Sequence, residues 1–389
     1  MNASKTSTLK SATIAAALIA GTLSATGSTP LAARYNAFGF DLFSKLTASD
    51  KGNVVVSPTS VALALSMAQN GAAGKTRADI AHVLHLNEFS DAQVNSAASD
   101  LMSDIPSASN DLQFSIANSL WVKNGFPVNA AFEREMQTSY HAKVANIPFN
   151  AAGLAQLNGW VKEQTLGLIP KILDDFNSLD SAVLANALAL KAKWLQPFDP
   201  HATRPAPFYS RNGAAHSISM MHQGAAFEYA QGHDWQLVRL PYRGNRYAMY
   251  IFLPAKGAHV GLSNAAFDHA RSQLSSTMLR LQMPRFTVNY RTSLNAPLSA
   301  LGMGLAFSNK ADFSRLTPTP VHISRVEHVT YVRVDEEGTQ AAAVTAIVIS
   351  KTAIIVYKHQ MIVDHPFYLI LRDDKTNQIL FLSHITSPG

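Results

Sequence analysis

The chain has 389 residues, of which 47% are hydrophobic and 15% are charged, a composition that excludes a chain disordered throughout. Its formal charge is +6, but the basic residues are scattered, with no basic helix and no basic stretch interleaved with aromatic residues. We therefore expect a globular protein with a large core and no nucleic-acid partner.

Residues 1–30 have the pattern of a secretory signal peptide. Lys5 and Lys10 form a positive region, residues 12–20 are an apolar run, and small residues follow. The run is too short to be a stable membrane anchor, so we expect secretion, into a periplasm or outside the cell, and no membrane partner. The remaining residues 33–388 contain no internal repeat and no low-complexity linker, which predicts a single domain.

Periodicity and capping signals predict several helices. Apolar residues recur at helical spacing from Tyr35 to Leu46. Ser57 followed by Pro58 predicts the start of a second helix, because the hydroxyl can cap free N–H groups and proline gives up no bonded one. This helix is expected to end near Gly71. Two further segments have a helical pattern: residues 132–140 and 157–165.

Five segments have the composition of strands: residues 114–122, 183–194, 237–254, 279–290 and 328–334. The second is mostly apolar, as expected of a strand covered on both faces. In the third and fourth, β-branched and aromatic residues bounded by Gly, Pro and Asn indicate antiparallel strands. Helical and strand patterns are therefore mixed along one domain.

Several catalytic and metal-binding signals are excluded. The sequence has no cysteine, and therefore no disulfide, thiolate nucleophile or cysteine metal ligand. His82 and His85 lack the further ligands of a zinc helix, and no G-x-S-x-G elbow marks a serine hydrolase. Residues 72–76 resemble the end of a phosphate-binding loop, but Gln69 stands where the motif requires its first glycine. A predicted helix also precedes them, where the motif requires a strand. We expect no metal, no cofactor and no enzymatic activity.

The stretch from Gly338 to Ser350 has an unusual composition. It contains no proline and no charged residue, with small residues in its first half and β-branched residues in its second. From the residues alone, the longer segment Ala341–Tyr357 could be a membrane span or a permanently buried strand, or the stretch could be a loop that later enters a sheet. A span is disfavoured by Lys351, which would cost about 3 kcal/mol near the bilayer centre. A permanently buried strand fits but leaves the alanine run unexplained.

A loop that later enters a sheet must lack proline, which cannot donate to a sheet, and must lack charges that insertion would bury. Hydrogen bonds at about 0.5–1.5 kcal/mol per residue would roughly cancel backbone ordering at about 1–2 kcal/mol. Burial of Ile347, Val348 and Ile349, at about 1.5–3 kcal/mol each, would then favour insertion. In the inserted strand, alternate residues would share one face: Thr339, Ala341, Ala343, Thr345, Ile347 and Ile349.

The residues leading into this stretch resemble the hinge of the serpin family almost residue for residue: Glu336, Glu337, Gly338, Thr339, Gln340, Ala341, Ala342, Ala343, Val344 and Thr345. Further resemblances run along nearly the whole mature chain. They are Asn53 with Ser57-Pro58-Thr59-Ser60, Ala117-Asn118-Ser119-Leu120-Trp121, Asn158-Gly159-Trp160-Val161, Asn186 through Lys191 to Trp194, Ala311-Asp312-Phe313-Ser314 and Asp364-His365-Pro366-Phe367. Their joint order and spacing are highly specific.

The resemblance implies an α+β fold with three β-sheets, eight or nine helices, and a reactive loop, about residues 337–357, held outside the body. It also implies a metastable native state and suicide inhibition. A serine or possibly cysteine protease would cleave the loop and remain attached as an acyl-enzyme while the loop inserts into the central sheet. We expect a monomer whose partner is such a protease.

The resemblance also implies roles for individual residues. It makes residues 338–345 the hinge, and it makes Trp194 the packing residue where the loop first enters. A polar cluster under the opening sheet would consist of Ser57, Ser60, Asn186 and His328. Without the resemblance, Ser57 would be a helix cap and His328 a satisfied core histidine, and these roles are compatible with the cluster.

Counting the family's usual interval from Gly338 places the scissile bond between Thr352 and Ala353, which predicts an elastase-like or broadly specific target. A shift of one residue would place it between Lys351 and Thr352. That alternative would favour a trypsin-like protease, because an acid in the protease pocket would pair with the lysine. The physiological protease and any polyanion cofactor stay open.

The sequence departs from the family pattern at Gln340, where glutamate is frequent, at Ala192, where glycine is common, and at Ser383-His384, where a glycine-basic pair is usual. None of these blocks insertion. A rival function is that of a non-inhibitory carrier, chaperone or storage protein with the same fold. Such relatives often carry proline, charge or bulky residues in the hinge, and this chain does not.

Overall fold

The computed structural model describes residues 30–104, 111–211, 213–258, 261–339 and 356–388. Within these ranges there are eight α-helices. They are α1 (Pro30–Ser49), α2 (Pro58–Gly71), α3 (Gly74–Val83), α4 (Asp91–Asp104), α5 (Ala130–Tyr140), α6 (Ala151–Gln164), α7 (Asn264–Ser272) and α8 (Asn295–Leu298). None of the described helices is both long enough and apolar enough to cross a bilayer.

The strands of the described ranges number fifteen. They are β1 (Val54–Val56), β2 (Leu112–Lys123), β3 (Lys143–Ile147), β4 (Ala182–Lys193), β5 (Arg204–Tyr209), β6 (Ala215–Gln231), β7 (Trp235–Pro241), β8 (Tyr247–Pro254), β9 (Ser275–Pro284), β10 (Phe286–Ser293), β11 (Ile323–Val334), β12 (Gly338–Thr339), β13 (His359–Ile362), β14 (Phe367–Asp373) and β15 (Ile379–Ile385). The predicted α+β class is confirmed.

The strands form two hydrogen-bonded networks. One is a six-stranded sheet in the order β10-β11-β12-β4-β2-β3. The other has nine strands in the order β1-β15-β14-β8-β7-β6-β9-β13, with β5 also on β6. The 17-residue strand β6 pairs with β9 and β5 along most of its length and with β7 only at its end. Two of the three expected sheets are therefore joined through one shared strand.

The predicted helices and strands are present, and α2 shows why the local signals were informative. Ser57 caps this helix, its hydroxyl accepting the N–H of Ser60 at 3.2 Å, and Pro58 occupies the first turn. Every residue of α2 is buried. The helix lies beneath the six-stranded sheet, where its first turn meets polar side chains of the sheet.

Both faces of the six-stranded sheet are covered. On β4, Leu184, Leu188 and Leu190 belong to the main core, which also contains α1 and α2. The alternating residues Val183 and Ala185 face a second core built with α6 and the segment after it. This double burial explains why β4 is almost continuously apolar.

Candidate strand-insertion site

The centre of the six-stranded sheet contains an unusual junction. Strands β4 and β11 run parallel and pair directly, up to Ala189 opposite Tyr331. Beyond that point the two-residue strand β12 lies between them, with Thr339 opposite both Ala192 of β4 and Val334 of β11. β12 is antiparallel to both neighbours. Because it separates β4 from β11 only at this point, the sheet is closed along most of its length and divided at one end.

A tight turn connects β11 to β12. The Asp335 carboxylate accepts the backbone N–H groups of Glu337 and Gly338 at 3.1 and 3.2 Å. The Asp335 backbone N–H donates a hydrogen bond to the Gly338 carbonyl at 2.9 Å, and this bond closes the turn. Burial raises the pKa of Asp335, and these backbone donors partly offset that effect.

Trp194, directly after β4, holds the outer side of this turn. Its backbone N–H donates a hydrogen bond to the Glu337 carbonyl at 2.8 Å, and its indole Nε1–H donates one to the Asp335 carbonyl at 2.9 Å. The Tyr242 hydroxyl shares a hydrogen bond of 2.7 Å with Thr339 Oγ1. We call Trp194, Tyr242, Asp335 and Thr339 the insertion cluster, because together they fix the point at which the chain turns into the sheet.

Glu336 anchors the same turn from a second direction. Its carbonyl accepts the Phe198 N–H at 2.7 Å, and its carboxylate accepts the Thr203 hydroxyl at 2.7 Å. Arg285 approaches the same carboxylate at 3.5 Å. The four described residues of the motif that resembles the serpin hinge, 336–339, therefore all lie in the body of the protein at the divided end of the sheet.

A second group of polar residues lies deeper in the sheet. Asn118, Asn186 and His328 are directly opposite one another on β2, β4 and β11. The Asn186 side-chain amide donates hydrogen bonds to Asn118 Oδ1 at 2.5 Å and to the carbonyl and hydroxyl oxygens of Ser60 at 2.8 and 2.5 Å. We call Asn118, Asn186, His328, Ser57 and Ser60 the polar row; it joins three strands to the first turn of α2.

The protonation state of His328 follows from its partners. Nε2 faces the Ser57 N–H at 3.1 Å and must accept, so the ring proton lies on Nδ1 and is donated to Asn186 Oδ1 at 2.6 Å. Complete burial lowers the pKa of His328 to about 3, and the hydrogen bond with Asn186 only partly opposes this. The imidazole is therefore neutral near pH 7.

The structure thus brings the four residues predicted for the polar cluster together, and it brings Trp194 to the hinge. The two groups are separate: Asn186 and Ala192 are six residues apart on β4, or about 20 Å along the strand. The remaining hinge residues and the two alternative scissile bonds lie outside the described residues: Gln340, Ala341, Ala342, Ala343, Val344, Thr345, Lys351, Thr352 and Ala353. Their assigned roles stay predictions.

Three residues of these groups were not predicted as functional. Asn118 stands within the motif that carried the resemblance, but only the register of β2 against β4 places it beside Asn186. Tyr242 and Asp335 have no local signal for their roles. Over the part of the chain that the structure describes, no cluster of His, Asp or Glu is arranged to hold a metal ion.

Comparisons with known proteins agree with this architecture. The family model described as serpin (serine protease inhibitor) matches residues 33–388. The leukocyte elastase inhibitor of Bos taurus is 33% identical over 378 residues, which cover 92% of this chain and 99% of that protein. Neuroserpin of Homo sapiens is 28% identical over 367 residues, covering 90% and 89%. The solved native structure of a thermophilic serpin, tengpin, has a TM-score of 0.85 at 30% identity and covers 91% and 93%.

Proposed function

Because this chain belongs to the serpin family, we propose that it inhibits a serine protease as a suicide substrate. The protease cleaves near Thr352–Ala353 and remains attached as an acyl-enzyme. The segment that begins at Gly338 then enters the six-stranded sheet as a new strand between β4 and β11.

The observation that carries this proposal is the direction of β12. It is antiparallel to β4 and β11, which are parallel to each other. A strand continuing from Thr339 in the same direction would separate a parallel pair and replace it with two antiparallel pairs. Antiparallel pairing is slightly more stable per residue, so the exchange of hydrogen bonds favours insertion.

The register of β12 supports the same proposal. Continued pairing would bring Thr345, six residues beyond Thr339, opposite Asn186 and His328. Its hydroxyl would then lie between Asn186 and His328 of the polar row. Thr345, the one polar side chain on this face between Thr339 and Ile349, would therefore meet polar neighbours.

The two faces of the new strand would meet different surroundings. Thr339 lies opposite Ala192 and shares its face, which belongs to the main core. Ala341 and Ala343 would follow on that face, where small side chains fit under a sheet that must first open. Gln340 would lie opposite Lys191 and Arg333, at the polar edge above α6, and a polar side chain is acceptable there.

The target class follows from the residue before the scissile bond. Thr352 at that position favours an elastase-like or broadly specific protease, and a relative that is 33% identical is named leukocyte elastase inhibitor. Cleavage after Lys351 would instead favour a trypsin-like protease. Mass spectrometry distinguishes the two: the C-terminal fragment begins at Ala353 in the first case and at Thr352 in the second.

Complex formation tests the proposal. The mature protein is mixed with elastase-like, trypsin-like and subtilisin-like proteases, and we expect a complex with at least one of them that survives denaturing electrophoresis. The same protease with its catalytic serine blocked should form none. If every protease cuts the loop and turns over freely, the inhibitory proposal is wrong, and the rival function of a non-inhibitory carrier, chaperone or storage protein is favoured. Melting temperatures before and after cleavage give a second readout, since insertion should raise them.

We also propose that residues 1–30 direct export and that the mature protein is secreted as a monomer. The support is the charged start, apolar run and small residues of this segment. Expression of the full chain should give a processed protein outside the cytoplasm, with a new N-terminus between Ser24 and Ala33. An unprocessed, cytoplasmic product would contradict export.

A further inference from the structure

A cavity of about 680 Å³ opens in the nine-stranded network. It lies between the turn after β5, the segment after β8, and the facing ends of β14 and β15. None of its lining residues belongs to the six-stranded sheet, so the cavity is distinct from the strand-insertion site. Its volume falls within the range of about 300–1,000 Å³ typical of small-molecule sites.

Aromatic rings form part of the cavity wall. Tyr368 and His384 are stacked, with 4.6 Å between ring centroids and 21° between their planes. The Lys256 ammonium lies 4.7 Å from the centre of the Tyr209 ring and pairs with Asp364 at 2.7 Å. The charge of Lys256 is therefore already balanced. Tyr368 and His384 cover each other's inner faces, so a planar, apolar ligand group would pack against the outer side of this stacked pair.

One cation at the cavity lacks a counter-charge. Arg211, in the turn after β5, makes no ion pair with any carboxylate in the described ranges. Burial and, to a smaller extent, the positive charge of Arg211 lower the pKa of His384 to about 4. His384 is therefore neutral near pH 7, and Arg211 supplies an unbalanced positive charge. A guanidinium is suited to a carboxylate, which it can bind through two parallel hydrogen bonds.

A hydroxyl group is also left without a partner. Ser210 lines the cavity next to Arg211, and within the described part of the chain its side-chain oxygen is buried and makes no hydrogen bond. A buried hydroxyl without a partner is unfavourable. Because this oxygen is closed off from solvent, the Ser210 side chain must rotate toward the cavity before its hydroxyl can donate to a ligand oxygen. The anionic end of a ligand would therefore find a charge and a hydrogen-bond donor on adjacent residues.

We propose that this cavity binds a small planar aromatic carboxylate. The ligand ring packs against Tyr368 and His384, its carboxylate pairs with Arg211, and the Ser210 hydroxyl donates to a ligand oxygen. The site is independent of protease inhibition, because it shares no residue with the insertion cluster or the polar row.

Calorimetry with the mature protein tests this proposal. The probes are 2-naphthoate, its neutral analogue 2-naphthamide, and the aliphatic carboxylate hexanoate. We expect 2-naphthoate to bind about tenfold or more tightly than either, because only it has both the ring and the charge. The variant Arg211→Gln should lose most of this advantage for 2-naphthoate and leave 2-naphthamide binding within about twofold.

Arg204→Gln is the matched control, because Arg204 is an exposed cation on β5 that does not line the cavity. It should leave 2-naphthoate binding unchanged. The proposal is overturned if 2-naphthoate does not bind, if hexanoate or 2-naphthamide binds equally well, or if the two arginine variants behave alike. Protease complex formation by Arg211→Gln should equal that of the parent, so failure of this site would not reflect failure of the inhibitory function.

Discussion

The Tyr242 ring lies flat against the Trp194 indole, with 4.6 Å between their centroids and 8° between their planes. Trp194 directly follows β4, and Tyr242 directly follows β7 of the other network, so the stack joins the two sheets where the loop begins. The Tyr242 hydroxyl then reaches Thr339, and the indole N–H reaches Asp335. One aromatic pair therefore fixes both ends of the turn that precedes the inserting segment.

Removing the Tyr242 hydroxyl should loosen this turn while keeping the stack. For Tyr242→Phe we expect the free energy of unfolding to fall by about 0.5–1.5 kcal/mol, the usual net contribution of one hydrogen bond. The reason is that Thr339 Oγ1 loses its partner in a buried position. Denaturant unfolding measures the change.

A double-mutant cycle controls for other effects of the ring change. Tyr242→Phe and Thr339→Val each remove one side of the same hydrogen bond, so their effects should not add. Strictly additive losses would mean that the hydroxyls do not interact. The cycle thus tests the contact itself.

Gly338 should be intolerant of any side chain. A Cβ built there would lie 2.0 Å from the Ala192 carbonyl oxygen and 2.7 Å from the Lys193 Cα, both backbone atoms of β4, and its φ is +157°. Since the backbone of a central strand cannot move aside easily, Gly338→Ala should displace β12. We expect a loss of about 1–3 kcal/mol in unfolding free energy and a higher ratio of inhibitor to protease for full inhibition.

Gly159→Ala is the matched control. Gly159 lies in α6, and a Cβ built there would meet nothing within 4 Å. Alanine should stabilise the helix by about 0.5–1 kcal/mol, because glycine loses more backbone entropy on folding. Equal melting temperatures for the two variants would contradict the close approach at Gly338.

His328 should make the protein less stable in mild acid. Its pKa is about 3 in the folded state, against an ordinary value of 6.5. Between these values the unfolded chain binds a proton that the folded protein does not, so the unfolding free energy falls as the pH is lowered from 6.5 towards 3. The slope contributed by one such histidine is at most about 1.4 kcal/mol per pH unit.

The difference in pH slope between the parent and His328→Gln isolates this contribution. His384, with a pKa of about 4, contributes in the same direction in both proteins and therefore cancels. If the glutamine variant does not fold, NMR titration of the parent serves instead, and the neutral Nδ1–H form should persist below pH 5. A titration midpoint near 6.5 would refute the assignment.

Local signals in the sequence predicted the parts of the fold that depend on neighbouring residues. Ser57-Pro58 specifies the start of α2 through hydrogen bonds made within one turn. The apolar run of β4 predicts burial on both faces because each face contacts a core. In contrast, α4 buries only Val94, Asn95 and Ala98, so it has no apolar stripe that periodicity would detect.

The insertion cluster depends on distant parts of the chain. Tyr242 reaches Trp194 because two backbone hydrogen bonds join the ends of β4 and β7. The Leu195 N–H donates to the Pro241 carbonyl, and the Arg243 N–H donates to the Lys193 carbonyl. No pattern near Tyr242 encodes that pairing. The polar row likewise depends on the register of three strands, which hydrophobic alternation alone does not specify when both faces are covered.

The two faces of the proposed strand can be tested with one charge at adjacent positions. Ala341→Glu would place a carboxylate on the face directed to the main core, and Gln340→Glu would place it beside Lys191 and Arg333. We expect Ala341→Glu to be cleaved without forming a stable complex, because insertion would bury an unpaired charge.

Gln340→Glu should keep the inhibitory ratio of the parent, since two cations would face the new carboxylate at the edge of the sheet. Both variants carry the same charge in the same loop, so a general effect of charge on protease binding would change them equally. Inhibition ratios and denaturing gels measure the outcome. If both remain inhibitors, the segment does not enter the sheet in the register of Thr339; if both become substrates, the face assignment is wrong.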